Sequence, residues 1–225
     1  MNNDLTLLIP AKSEKESLPF VIEEIKKLKL KCNFLFVVEK TDNETIKVIK
    51  KYKKKIIFQK NKGYGDALIT GISKIKTTYF CIFNADGSFN PRELKNMSKI
   101  LRFKNNDFVF ASRYEVNCSS EDDTIITLIG NYFFTKIGNI FFKLPITDIL
   151  YTFVIGKTKS AQKLKLKEKK FGFCVELPIK ARLKNMKILT SKSHERKRYS
   201  GTKKVNAFKD GFLILVTMIK LFFIK

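Results

Sequence analysis

Five short apolar runs punctuate the first half of the chain: LTLLI at 5–9, FLFVV at 34–38, IIF at 56–58, YFCIF at 79–83 and FVFA at 108–111. Each has the length of a strand, and continuous apolar runs of this kind suit strands covered on both faces. Between them, stretches such as ESLPFVIEEIKKLKL and DALITGISKI repeat apolar residues at intervals of three and four, which predicts helices. The alternation is a βαβ rhythm. It predicts an α/β fold with a mostly parallel sheet and helices on both faces. Pro91, following Ser88, Phe89 and Asn90, marks a helix start, with the helix expected over 92–103.

In such sheets ligands sit beyond the carboxyl ends of the strands. The loops that fall there are 10–16, 39–44, 61–66 and 84–90, so four distant parts of the chain are expected to meet at one crevice. From about residue 112 the pattern changes. Residues 124–148 are rich in aromatics, with Phe133, Phe134, Phe141 and Phe142 beside Lys136 and Lys143, and predict one amphipathic helix or a helix pair. That segment either packs on the body of the protein or dips into lipid while its lysines meet head groups. Residues 157–204 are crowded with Lys and Arg. The apolar residues 211–225 would reach roughly 22 Å as a helix, short of the ~30 Å hydrocarbon core. Lys220 also interrupts them, so a helix lying in the membrane interface fits better than a span.

Composition changes this picture in two ways. The 225 residues carry 45 Lys and Arg against 21 acids, a formal charge of +24, which points to polyanionic partners: nucleic acid, an anionic membrane surface or phosphorylated small molecules. The Lys, Asn and Ile usage of an AT-rich genome is a second source of the same charge. Cys32, Cys81, Cys118 and Cys174 form no CxxC pair and His194 is the single histidine, which argues against a zinc site and for reduced, cytosolic thiols. The beginning, MNNDLTLLIPAK, has no basic flank before its short apolar run and reads as a first strand instead of a signal peptide.

The candidate chemistry centres on 79-YFCIFNADGSFNP-91, where an apolar strand stops at Asn84-Ala85-Asp86 and a Gly87-Ser88 turn follows. A carboxylate placed there either caps the turn or holds a hard divalent cation that also grips a diphosphate. In 61-NKGYGDALITGI-72, two glycines open a helix and let backbone and Lys62 approach an anion. Glu39 and Asp42, after the second strand, suit hydrogen bonds to a ribose or a base, or a solvated turn.

In order along the chain stand 9-IPAKSEKESL-18, 62-KGYGDALITGI-72, 84-NADGSFNP-91, 111-ASRY-114, 147-TD-148, 173-FCVELPIKA-181 and 198-RYSGTKK-204. Together they resemble the motifs of the family 2 glycosyltransferases, in particular the dolichyl-phosphate mannose synthase branch, which moves a sugar from a nucleotide to a polyprenyl phosphate. The resemblance implies a glycosyltransferase A-type, Rossmann-like fold, a UDP- or GDP-linked sugar donor and Mg²⁺ or Mn²⁺. It implies a nucleotide pocket lined by Pro10, Ala11, Glu14, Glu39, Asn84 and Ala85, with Lys62 and Asp66 near it. Asp86, helped by Asn84, would bind the metal. Asp148 would lie near the acceptor, as general base if the acceptor is a hydroxyl, and Arg113, Arg198, Lys203 and Lys204 would hold phosphates. The implied organisation is a single domain over 1–204, with a nucleotide-sugar half (1–111) and an acceptor half (112–204), followed by a helix over 205–225.

The chain departs from those motifs at Asn84, where the family has Asp, at Ser13 in place of Asn, and at Glu39-Lys40-Thr41 in place of an acidic loop. An Asn keeps a carbonyl oxygen for a metal but removes one negative charge. A catalytically degenerate scaffold is therefore one alternative. A nucleic-acid-binding protein is another, although no RNA- or DNA-binding signature is present. A sugar nucleotidyltransferase is disfavoured by the missing Gly-rich phosphate loop after the first strand. The expected setting is cytoplasmic and peripheral to the inner membrane, in envelope-glycan synthesis, with the last helix facing either lipid or a second copy of the chain.

Overall fold

The computed structural model describes residues 4–224. Eight α-helices and nine strands lie among them. The strands are β1 (Leu5–Ala11), β2 (Asn33–Val38), β3 (Lys55–Phe58), β4 (Tyr79–Ile82), β5 (Phe108–Ser112), β6 (Ser119–Ser120), β7 (Val154–Lys157), β8 (Ile188–Lys192) and β9 (His194–Glu195). The helices are α1 (Ser17–Lys27), α2 (Asn43–Lys51), α3 (Tyr64–Lys74), α4 (Glu93–Arg102), α5 (Ile125–Phe142), α6 (Thr158–Lys163), α7 (Phe173–Leu183) and α8 (Ala207–Phe223).

Seven strands form one sheet in the order β3-β2-β1-β4-β7-β5-β8. All pairings are parallel except those of β7, which runs antiparallel to both β4 and β5. The five apolar runs are β1 to β5. β1, β2, β4 and β5 are largely buried on both sides because adjacent residues feed opposite faces of the sheet, whereas β3 stands half-exposed at the sheet's edge. Leu8, Leu35 and Val37 join a cluster with α3, α5, α6, α7 and α8 on one face. Leu7, Ile9, Phe36 and Val38 join a cluster with α1, α2 and α4 on the other. The expected helix over 92–103 begins one residue later, at Glu93, after a turn through Pro91 and Arg92.

The segment 124–148 resolves into a single helix followed by a loop. Thr124 caps α5 by accepting the N–H of Thr127, whose own hydroxyl accepts the N–H of Thr124. Lys143, in the left-handed region at φ 53°, ends the helix ahead of Leu144-Pro145. The last helix docks on α5 and α7, burying Ile214, Met218 and Leu221 in the same cluster that covers the sheet.

The glycines of 61–72 serve packing. A Cβ at Gly65 would come 2.1 Å from the main-chain oxygen of Glu168, and one at Gly63 would come 2.2 Å from that of Lys169. The N–H of Asp66 donates to the Lys169 carbonyl at 2.9 Å. Main chain of 168–170 therefore covers one side of the start of α3, while Gly63 and Tyr64 also line the cleft described below. The covering turn is itself held by Glu176, whose carboxylate accepts the N–H groups of Lys167 and Glu168.

Candidate active site

The carboxyl ends of β1, β2 and β4 open into a cleft of about 400 Å³. Its lining includes Pro10, Ala11, Glu14, Glu39, Asn84, Ala85, Asp86, Arg113, Arg198, Lys203 and Lys204, which are predicted site residues. Three predicted residues, Lys62, Asp66 and Asp148, are absent from it.

Asp86 stands where β4 ends. Its Oδ1 accepts the N–H and hydroxyl of Ser88 at 3.0 and 2.8 Å, so the turn reading of Asp-Gly-Ser is realised. Its Oδ2 lies 3.9 Å from Arg198 Nη1, and its main-chain oxygen accepts the N–H of Tyr199. Gly87 adopts φ 84°, which bends the chain directly after the carboxylate at no steric cost. Asn84 Oδ1 accepts the hydroxyl of Tyr64 at 3.2 Å, and that hydroxyl also pairs with Thr152 at 2.7 Å. Burial pushes the Tyr64 phenol well above its ordinary value, so it stays a neutral donor. The metal question turns on this pair. Among the described residues no three His, Cys, Asp or Glu side chains cluster in a way that could hold a metal. One carboxylate with an amide oxygen beside it fits a cation whose shell is completed by phosphate oxygens and water, and does not fit a protein-only cage.

Arg113 anchors the opposite wall. Its Nε and Nη2 donate to Asp148 at 2.7 and 3.0 Å, its N–H to the same carboxylate at 3.1 Å, and its Nη1 to Glu195 at 2.8 Å. Asp123 lies 3.2 Å from Nη1. Burial opposes the charge on Arg113, but Asp148 and Glu195 outweigh it and raise the guanidinium further. The Asp148 side chain is 0% exposed and also accepts from Asn131, so it is a partner for Arg113 and not a base that an acceptor can meet. Asp66 is likewise enclosed. Its carboxylate accepts the N–H groups of Lys60 and Asn61 at 3.0 and 2.8 Å, which ties the loop after β3 to the first turn of α3.

A strap running from β9 to α8 crosses the cleft. Arg196 binds Glu24 and the carbonyls of Gly87 and Phe89, and Tyr199 stacks on Phe20 at 4.6 Å. Arg198 donates to Asp122 at 2.8 Å, Lys203 approaches the same carboxylate at 3.5 Å, and Lys204 binds Glu14. Lys12 pairs with Glu39 at 2.9 Å. Every cation lining the cleft thus has a carboxylate partner, and the lining holds six carboxylates against five cations.

Asp122, Asp123, Glu195, Tyr64, Thr152 and Lys12 also line the cleft and were not singled out in the sequence. The acidic run Glu121-Asp122-Asp123 ahead of α5 was the available signal for two of them.

Three solved structures share this architecture. Glucosyl-3-phosphoglycerate synthase from Mycobacterium tuberculosis in complex with Mn²⁺, uridine diphosphate and phosphoglyceric acid superposes with a TM-score of 0.76 at 12% identity, over 98% of this chain and 78% of that one. The same enzyme with Mn²⁺, uridine-diphosphate-glucose and phosphoglyceric acid gives 0.73 at 10% identity, over 98% and 80%. Its complex with Mg²⁺ and uridine diphosphate gives 0.72 at 13%, over 97% and 79%. At these identities the likeness is one of fold. No curated protein sequence matches the chain. The profile of Glycosyl transferase family 2 matches residues 6–165, from β1 through the cleft-bearing loops to α6. That match takes in most of the chain and every strand of the sheet except β8, and it makes this protein a member of glycosyl transferase family 2.

Proposed function

We propose that this glycosyltransferase moves a hexose from a nucleoside-diphosphate sugar to a lipid-linked acceptor at the cytoplasmic face of the inner membrane. The first donor to test is a UDP-sugar, with GDP as the other base, and the first acceptor is a polyprenyl phosphate. The observation that carries the reading is Asp86, set just past the end of β4 near Asn84 in the chain, with Arg198 3.9 Å away, both lining a cleft of about 400 Å³. The UDP and metal ions bound by the structures of like fold support the donor class. The ordered motifs from Pro10 to Lys204 support the polyprenyl-phosphate acceptor.

Mg²⁺ or Mn²⁺, held by Asp86 with Asn84 beside it, would supply a Lewis acid for the departing diphosphate. The rest falls to the chain itself. A diphosphate entering the cleft offers Arg198, Lys203 and Lys204 stronger partners than Asp122 and Glu14, since fixed cations aimed at developing phosphate charge are the main stabilising device in such transfers. Arg113 and Asp148 hold the acceptor wall in place, with Asp148 orienting the guanidinium. An acceptor phosphate is already ionised at neutral pH and needs no base, so attack on the anomeric carbon proceeds from the side opposite the diphosphate.

Asp122, Asp123 and Glu195 in the same wall favour a second reading, in which the acceptor is a sugar hydroxyl. Burial raises the Glu195 carboxyl above its ordinary value, against the opposing effect of Arg113, and brings it closer to the range of a general base.

The test is incubation with radiolabelled UDP-glucose and polyprenyl phosphate, followed by organic extraction. Metal-dependent label in the organic phase, absent for Asp86→Ala, supports the proposal. Donor binding with label passing only to soluble glycans moves the reading to the hydroxyl acceptor. Failure to bind either nucleotide overturns both.

A further inference from the structure

We propose that the outer face of α5 and α8 docks the protein on an anionic lipid bilayer, with the active-site cleft opening beside that face. This deepens the lipid-acceptor reading above by naming the surface through which such an acceptor is reached. The two helices run side by side in the same direction: Phe134 lies against Gly211, and Phe141 and Phe142 lie against Phe222. Their inner residues, among them Phe134, Phe142, Ile214 and Met218, fill the core. Their outer residues do not. Ile125, Ile129 and Phe133 on α5, four residues apart, and Phe208, Phe212 and Phe223 on α8, four and then eleven residues apart, are each at least half exposed, and these spacings set them along one stripe of each helix. Scattered surface hydrophobes are ordinary, but a stripe along two touching helices marks an interaction face.

Charge selects the occupant. α5 carries no carboxylate, and the single one on α8, Asp210, is buried and accepts the N–H of Asn206. The exposed charges on the two helices and at the end of α5 are Lys136, Lys143, Lys209 and Lys220, and the exposed carboxylate ahead of α5, Glu121, lies 3.1 Å from His194. A lysine-rimmed apolar band is complementary to an anionic bilayer, where acyl chains take the Phe and Ile side chains and head groups meet the ammonium ions. The same rim placed opposite itself in a second copy of this +24 chain sets like charges against one another.

Orientation follows from the core. α5 has the length and hydropathy of a membrane-crossing helix, yet Phe134, Thr135, Gly138 and Phe142 pin it along the body of the protein, so it meets the bilayer lengthwise. Thr127 and Asn131 of α5 and Ile214 of α8 line the cleft. The two helices therefore separate the lipid-facing stripe from the active site by one helix thickness.

The experiment is vesicle sedimentation of the full-length protein, without donor or acceptor, on phosphatidylcholine alone and on phosphatidylcholine mixed with phosphatidylglycerol. Binding to the mixed vesicles that falls with salt is expected, weakened about tenfold or more in Phe212→Glu/Phe223→Glu and weakened on mixed vesicles alone in Lys209→Glu/Lys220→Glu. Circular dichroism and UDP titration of the same samples report that each variant is folded with its nucleotide site intact, so the docking face and the donor site fail or stand separately. Equal pelleting with both lipids, unchanged pelleting of the Phe variant, or a stable wild-type dimer that the Phe variant dissociates would overturn the proposal.

Discussion

The cleft and the outside of this molecule hold opposite charge balances. Outside, Lys and Arg outnumber acids by more than two to one over the chain as a whole. In the cleft, carboxylates slightly outnumber cations, and each cation is already matched: Lys12 to Glu39, Lys204 to Glu14, Arg198 and Lys203 to Asp122, and Arg113 to Asp148, Glu195 and Asp123. Net charge is therefore a poor guide to the site. The surplus cations decide how the protein meets a surface, whereas a small set of paired charges decides what the cleft can bind, because a pair as buried as Arg113–Asp148 is screened far less than an exposed lysine.

The sharpest way to break the comparison is at its most buried pair. Arg113→Met leaves Asp148 enclosed without its partner, and removal of one member of a buried ion pair costs about 3–5 kcal/mol. Thermal melting should show a large fall in Tm, and the double variant Arg113→Met/Asp148→Leu should recover much of it. Asp86→Ala tests the chemistry instead of the fold. Transfer should fall on the order of 100-fold in a radiolabel assay, well beyond the about 1–3 kcal/mol of stability lost with the two Ser88 contacts.

Asp66 sharpens the claim that the start of α3 is structural. Burial pushes its carboxyl up, but the N–H groups of Asn61 and Lys60 outweigh that and hold it below the ordinary 3.8. A depressed folded-state value gives stability that is present above the unfolded value and lost as pH falls through the folded one. Asp66→Ala should cost about 1–3 kcal/mol at neutral pH, since two N–H groups lose their acceptor. The Tm gap from wild type should close below pH 4 or so, while nucleotide affinity at neutral pH stays the same.

Smaller effects come from the strap and the outside. Lys204→Met frees Glu14 to face the diphosphate, and UDP affinity should drop a few-fold, about 1 kcal/mol, with weaker salt dependence in a titration series. Lys50→Gln/Lys51→Gln, on the exposed side of α2, should change stability by no more than about 0.5 kcal/mol and leave UDP binding unaltered.

The same division explains what the sequence disclosed. β1, β2, β4 and β5 were legible because strands buried on two faces must be apolar throughout, and the edge strand β3 through its run Ile56-Ile57-Phe58. β7 was not. Val154 to Lys157 is short, and its place between β4 and β5 depends on pairing with residues more than forty positions away, which leaves no local mark. The cleft-lining position of Asp86 was legible because a strand ending at Asp-Gly must turn there. Asp148 misled because a carboxylate beside Pro145 looks the same in a chain whether it meets substrate or a buried guanidinium. Asp122 and Asp123 were visible as an acidic run but not as site residues, for the converse reason that acidic residues in a polar loop resemble solvated turns until folding gathers them, and Glu195 in the short β9 left no mark at all. The glycines at 63 and 65 show a third kind of ambiguity: a position that must lack a Cβ does not say whether phosphate or main chain occupies the space.

The central claim is that Asp86 holds a cation only together with a nucleotide diphosphate. Calorimetric titration of the protein with UDP, in the presence and absence of Mn²⁺, on wild type and on Asp86→Ala, tests it most directly. Single-site binding that requires Mn²⁺ and disappears in the variant is the predicted result. UDP binding of equal strength without Mn²⁺, or retained in Asp86→Ala, would contradict it.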